Sequence, residues 1–308
     1  MDFVSKVKAV IVGHAIGDAL GVPVEFMSRE ELKEKPVVDM QGFGTYPVPM
    51  GAWSDDTSMS LCALDAMNGK KLNFDRVMAN FGRWYYKGLY TPTDEVFDVG
   101  NTCRIAIYNY FSENDGWAEC GIMHEDSNGN GSLMRINPFV LYTYKLHTDT
   151  ERKIHIIEMA SGLTHAHKRS KMACGIYAFV LWELLKKPDK KSVLIGLNKA
   201  KDFYKNCEEL NYYTRLFCQT FNEKKQEDIK SGGYVVDSLE ASIWCLLTTS
   251  NYKECVLKAV NLGEDTDTIA AIAGGLAGAL YGYDFIPQEW KNILIKRDYI
   301  EALCLNIC

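Results

Sequence analysis

Asp265-Thr266-Asp267-Thr268-Ile269-Ala270-Ala271-Ile272-Ala273-Gly274-Gly275-Leu276-Ala277-Gly278-Ala279-Leu280 has the length of a helix, with small side chains around most of its circumference. Each glycine inside a helix loses about 1 kcal/mol relative to alanine. Such a helix is kept where neighbouring helices approach closely on several faces, so the pattern predicts a central, buried helix over 266–281. Asp265 and Asp267 then stand at its N-terminus, where the dipole is positive and amides point outward. Outward from there, helical periodicity continues over 4–20, 75–86, 101–111, 150–162, 170–187, 192–205, 236–249 and 252–261. Ser54 is placed to cap a further helix through Met59, Leu61, Ala63 and Met67, ending at Asn68-Gly69. The glycine-bearing segments 42–51, 127–132 and 231–233 read as loops between helices. Period-two runs of β-branched residues are scarce and no fixed repeat occurs, so the expected fold class is all-α rather than a sheet or solenoid.

At 308 residues, 47% of them hydrophobic and only 8 of them proline, the chain has material for a large core and no evident linker. One compact domain over 1–308 is expected. The net charge of -6 argues against a general nucleic-acid binder, which carries a basic surplus. The 10 cysteines are scattered, without a CxxC pair, and read as reduced thiols of a cytoplasmic protein. The apolar run Ala9-Val10-Ile11-Val12 stops at Gly13-His14 and meets Asp18, so it fails as a signal-peptide core. Residues 269–281 fall short of the roughly 20 that a membrane helix needs. A soluble protein without membrane contact is expected, with monomer as the default.

A second acidic cluster, Ser54-Asp55-Asp56-Thr57, mirrors Asp265-Thr266-Asp267-Thr268 some two hundred residues away. Clustered acids beside small or apolar residues are costly unless a cation neutralises them. Hard oxygen donors of this kind suit Mg²⁺ or Mn²⁺ rather than zinc. If the fold unites the clusters, they make a two-metal site; if it does not, each is an N-cap with acids complementing a helix dipole. Asp-x-Asp-x-Thr is also the signature of aspartyl-phosphate phosphatases, but that motif follows an apolar strand, and Asn261-Leu262-Gly263-Glu264 is none.

Three lesser signals accompany the acids. Asn128-Gly129-Asn130-Gly131-Ser132 is a loop whose successive amides can form an anion-binding nest, or a plain turn. No P-loop lysine follows it. His165 sits on a helix flank, where a hydrogen-bonded structural histidine is the commoner case, and Glu25 follows Pro23 in a loop, where an acid is ordinarily solvated.

Taken in order, these segments resemble the ADP-ribosylglycohydrolase family. The resemblance rests on Gly17-Asp18-Ala19-Leu20-Gly21-Val22-Pro23-Val24-Glu25-Phe26, Ser54-Asp55-Asp56-Thr57 and Asp98-Val99-Gly100-Asn101-Thr102. It continues in Gly129-Asn130-Gly131-Ser132-Leu133-Met134-Arg135, Thr164-His165, Gly233-Tyr234-Val235-Val236 and Gly263-Glu264-Asp265-Thr266-Asp267-Thr268. It spans about residues 8–285.

The resemblance implies an all-α fold with a cleft holding two Mg²⁺ or Mn²⁺ ions. Ser54, Asp55 and Asp56 would form one ligand group and Asp265, Asp267 and Thr268 the other; Ser54 stands where the family usually has Thr, and keeps the hydroxyl. Gly129, Asn130, Gly131, Ser132, Leu133 and Met134 would cradle the diphosphate, His165 would lie near the scissile ribose, and Gly100 and Asn101 would belong to the substrate cleft. Tyr234 would serve the adenosine side, where an aromatic face can stack on the base. Glu25 or Asp98 would handle the proton, beside Asp56 and Asp267 at the reacting centre. The implied reaction is release of ADP-ribose from a modified protein side chain, arginine being favoured by Asp98 next to Gly100-Asn101-Thr102. The alternatives are an O-linked (serine or ester) ADP-ribose hydrolase and a non-catalytic, crystallin-like binder of ADP-ribose.

Overall fold

The computed structural model describes residues 2–68, 71–113 and 116–308. Its first seven helices are α1 (Phe3–Gly21), α2 (Arg29–Glu34), α3 (Asp55–Ala66), α4 (Phe74–Lys87), α5 (Asn101–Ser112), α6 (Asn137–Lys145) and α7 (Thr150–Gly162). The remainder are α8 (Lys168–Lys186), α9 (Lys190–Phe203), α10 (Val235–Thr248), α11 (Tyr252–Val260), α12 (Thr266–Tyr281), α13 (Gln288–Ile293) and α14 (Arg297–Cys304). No β-strand occurs among the described residues, only isolated bridges joining Ile122 to His165 and Gly129 to Tyr234. The fold is all-α, as the periodicity implies.

The small-residue helix α12 is the centre of the bundle and is buried from Thr266 to Gly278. Its principal partner is α1, which lies antiparallel against it in unusually close approach. A Cβ on Gly17 would fall 2.0 Å from the Ala270 carbonyl oxygen, and one on Gly13 would fall 2.6 Å from that of Gly274. From the other side, a Cβ on Gly278 would meet the Ala9 oxygen at 1.9 Å. No side chain fits at these distances, so the glycines set the register between the two helices. Helix α1 is long and apolar enough to cross a membrane by length and composition alone, but nearly all of it is buried inside the bundle.

That register decides what stands at the site. Because the helices run oppositely, the C-terminal end of α1 abuts the N-terminus of α12, with Gly21 against the backbone of Thr266 and Asp267. Asp18 lies one turn before that end and pins the start of α3. Its carboxylate accepts from Ser54 N (2.9 Å), Thr57 N (3.0 Å) and Thr57 Oγ1 (2.6 Å). The N-termini of α3 and α12, both positive ends of dipoles, thereby converge on one place.

Helices α2, α6, α13 and α14 were not expected from periodicity. Three of them have eight residues or fewer, too short to show a repeat, and α6 opens on Asn137-Pro138, where proline is tolerated in the first turn. Helix α3 ends at Ala66 with Met67 as its cap; Gly69, the expected stop, lies outside the described residues. Seven of the cysteines, Cys62, Cys245 and Cys255 among them, are buried and pack as small hydrophobes.

Candidate active site

The two acidic clusters meet. Carboxylate oxygens of Asp18, Asp56 and Asp267 lie within 4.8 Å of one another, as do those of Glu25, Asp265 and Asp267. Asp267 belongs to both triads. Ser54 Oγ and Thr268 Oγ1 each donate to Asp56 Oδ2 at 3.2 Å, so hydroxyls from both clusters touch the same acid. Asp55 lines the cavity above them and accepts from Gly100 N at 3.5 Å.

The decisive detail is what these groups leave undone. Glu25 Oε2, Asp56 Oδ1 and Asp267 Oδ2 are buried without a hydrogen-bond partner among the described residues. A buried polar atom left so costs about 1–3 kcal/mol, and the three acids that carry these oxygens fall in the two triads joined at Asp267. Burial first, and then repulsion from Asp98, Asp18 and Glu25 respectively, hold the Asp55, Asp56 and Asp267 carboxyls well above the usual carboxylate range. The donor set, all hard oxygens converging on orphaned atoms, fits divalent cations of the Mg²⁺ type.

Glu25 is not the solvated loop acid its position suggests. It is only 6% exposed, and burial together with Asp98 pushes its carboxyl up to about 8. The tight α1–α12 packing carries the 3₁₀ turn Val22–Val24 inward and Glu25 with it. Asp98 sits at φ +49°, a left-handed conformation, and lines the cavity. Burial raises its carboxyl to about 6, against hydrogen bonds from Tyr46 and Asp267. Asp18 was missed as a site residue; its fixed place in the Gly17-Asp18 turn of α1 was visible, but its partners are 36 and 39 residues away.

The cavity itself measures about 470 Å³, within the range of small-molecule sites. Gly100 and Asn101 line it at the surface, with Asp98 half-buried and Glu25 buried in its lining, and Gly129, Asn130, Gly131 and Met134 make its loop wall. Asn130 Nδ2 donates to Asp265 Oδ2 (2.6 Å) and lies 2.8 Å from Ser238 Oγ, tying this wall to the acid floor. The amides of Gly131, Ser132 and Leu133 find no protein acceptor among the described residues. The side chains of Ser132 and Leu133 do not line the cavity, so only their amides could serve a bound diphosphate. Ser132 Oγ accepts from Ser161 Oγ at 2.9 Å and Leu133 is 1% exposed, because the loop tightens into the start of α6 and turns them into the core.

His165 forms the floor under this wall: a Cβ on Gly131 would meet its ring at 2.9 Å. Burial, and then the Arg135 cation, depress its pKa to about 3, so the ring is neutral. Arg135 is itself buried, donating to Thr164 Oγ1 (2.8 Å) and the Ala160 carbonyl (3.1 Å). Tyr234 lies outside this cavity. It lines an adjoining recess of about 460 Å³ with Arg169 and Glu125, and the two spaces share Gly129 and Gly233.

Comparison with known proteins agrees with this geometry. The ADP-ribosylglycohydrolase family model matches residues 1–308. The chain is 33% identical over 300 residues to "ADP-ribosylarginine hydrolase Tri1" of Serratia proteamaculans, covering 97% of this chain and 77% of that protein. It is 32% identical over 286 residues to "ADP-ribosyl-[dinitrogen reductase] glycohydrolase" of Rhodospirillum rubrum, covering 92% and 88%. A solved "ADP-ribosylglycohydrolase-related protein complex" superposes with a TM-score of 0.82 at 29% identity, covering 99% and 97% of the two chains. The chain therefore belongs to the ADP-ribosylglycohydrolase family.

Proposed function

We propose that this protein is a metal-dependent hydrolase that cleaves the N-glycosidic bond between ADP-ribose and a modified arginine side chain. The observation that carries the reading is the pair of acid triads joined at Asp267, in which Glu25, Asp56 and Asp267 each keep an orphaned oxygen, beside a loop with open amides. Ser54, Asp55, Asp56, Asp265, Asp267 and Thr268 would hold two Mg²⁺ or Mn²⁺ ions, and the triad with Asp265 and Asp267 adds Glu25 to that set. Bound there, such ions supply positive charge that orients the ribose hydroxyls and acidifies a nearby water.

The chain's own residues do the rest. The Gly131, Ser132 and Leu133 amides donate to the diphosphate, a role helped by the buried positive charge of Arg135 behind His165. The neutral His165 packs beneath that loop and keeps the ribose end in place without adding charge. Breaking the bond at C1″ builds oxocarbenium character on the sugar, and the surrounding carboxylates stabilise it. Water adds at C1″ as the nitrogen departs with a proton. Asp98 supports the proton-handling role best: it lines the cavity and belongs to neither triad. Glu25 is the alternative. Tyr234 and Arg169 in the adjoining recess offer an aromatic face and a cation for the adenosine end.

The arginine reading leans on the relatives named ADP-ribosylarginine hydrolase and on an acid-lined cavity suited to a guanidinium. Release of ADP-ribose should be measured from arginine-modified and serine-modified protein, each with Mg²⁺, with Mn²⁺ and with EDTA. Metal-dependent release from the arginine substrate is expected. Release that survives EDTA would remove the metal, and release from the serine substrate alone would replace the acceptor.

A further inference from the structure

Phe26 lies beside Glu25 at the mouth of the cavity and has no structural reason to be aromatic. Its ring is 70% exposed, although it lines the cleft, and it stacks on no other ring among the described residues. Its backbone nevertheless sits at φ +66°, a conformation that bulky residues avoid and glycine adopts freely. Glu264, across from it, is at φ +65°. The two are clipped together: Phe26 N donates to the Glu264 carbonyl at 2.7 Å, and Glu264 N donates to the Met27 carbonyl at 2.7 Å. On the upstream side Thr45 Oγ1 holds the Glu25 carbonyl at 2.7 Å. Downstream, Arg29 donates to the carbonyls of Leu262, Gln226 and Ile229, at 2.8, 2.7 and 2.6 Å. The main chain at this point is over-determined and strained while the ring it presents buries little. Strain maintained without burial points to a contact made with something from outside.

We infer that Phe26 is a specificity-determining residue, whose ring stacks on the planar guanidinium of the arginine leaving group. The inference rests on the arginine reading above. Glu25 and Asp98 line the same cavity as Phe26, so a cation entering it meets both carboxyl groups and a π face. A flat, weakly hydrated guanidinium gains from both, whereas a serine oxygen gains from neither.

The test compares wild type with Phe26→Leu, Phe26→Gly and Phe26→Trp in the full chain with Mg²⁺. The substrates are peptides of one sequence, ADP-ribosylated on arginine or on serine, and ADP-ribose affinity is measured by calorimetry. Leu and Gly should raise KM for the arginine peptide by about five- to thirty-fold, the size of a cation–π contact. In those variants kcat and ADP-ribose affinity should stay within about twofold. Trp should restore KM. Phe26→Gly should melt no lower than wild type, since it relieves the left-handed strain, which separates loss of the ring from loss of the fold. An unchanged KM, or an equal loss of ADP-ribose affinity, would overturn the role of Phe26 while leaving the arginine activity standing. A wild-type enzyme that does not cleave the arginine peptide would overturn the arginine reading itself, and this inference with it.

Discussion

On the acid wall of the cleft, Glu25, Asp56 and Asp267 each keep a buried carboxylate oxygen without a partner among the described residues. On the wall made by the glycine–asparagine loop, the side chains are satisfied by the protein. Asn128 Nδ2 donates to the Glu125 carbonyl (2.7 Å), its Oδ1 accepts from Ser170 Oγ (2.9 Å), and Asn130 ties Ser238 to Asp265. What that wall leaves open is its backbone amides. The difference separates two ways of preparing a site. One wall is electrostatically incomplete until a cation arrives; the other is a finished scaffold that aims main-chain donors outward. An incomplete wall should respond sharply to the loss of one acid, and a finished one gradually to the loss of one amide.

The largest effect is expected at Asp267, the acid common to both triads. Asp267→Ala should lower kcat by at least about a hundredfold while leaving the helical circular dichroism signal intact. Mg²⁺ should raise the wild-type melting temperature, because a ligand bound only by the folded state stabilises it, and should leave that of the variant unmoved. Wild-type turnover in the variant would show that the acid wall needs no cation. Next in size is Gly17→Ala. Its Cβ would lie 2.0 Å from the Ala270 oxygen, and overpacking at such a point costs about 3 kcal/mol, read by denaturant unfolding. Because the same contact sets the α1–α12 register, the surviving folded protein should also bind Mg²⁺ more weakly.

Asp18 sharpens the contrast, since it sits among the acids yet both its oxygens are bonded to the start of α3. Asp18→Asn should cost about 2 kcal/mol of stability through the lost charge-assisted bonds. It should nevertheless keep the Mg²⁺-induced rise in melting temperature, and loss of that rise would make Asp18 a ligand rather than a cap. The smallest effect belongs to the finished wall. Asn130→Ala should weaken ADP-ribose binding by roughly tenfold, about 1.4 kcal/mol, with an unchanged response to Mg²⁺. A loss as severe as that of Asp267→Ala would erase the distinction between the walls.

Much of this arrangement was legible before any coordinates. Asp265 and Asp267 open a helix whose glycines announce burial, and Ser54 announces the start of α3, so both acid pairs could be placed at helix N-termini by local rules alone. The short helices α2, α13 and α14 escaped because two turns or fewer show no period. The inward turn of the Ser132 and Leu133 side chains could not be read from the motif, which does not say which of its residues turn into the core. That Tyr234 lines a separate recess, while Gly232 and Gly233 before it line the cavity, is likewise decided by the tertiary structure.

By itself the sequence determined the helical class, the buried small-residue helix, the acids and hydroxyls at two helix starts, and the family. Periodicity, capping and composition are local properties, so local reading reaches them. Only the tertiary structure decided that Asp18 and Glu25 join those acids, that three carboxylate oxygens are left without partners, and that Phe26 is held strained and exposed at the mouth. Those outcomes depend on the distance between α1 and α12. That distance is set by glycines more than 250 residues apart, meeting backbone to backbone where no side chain fits.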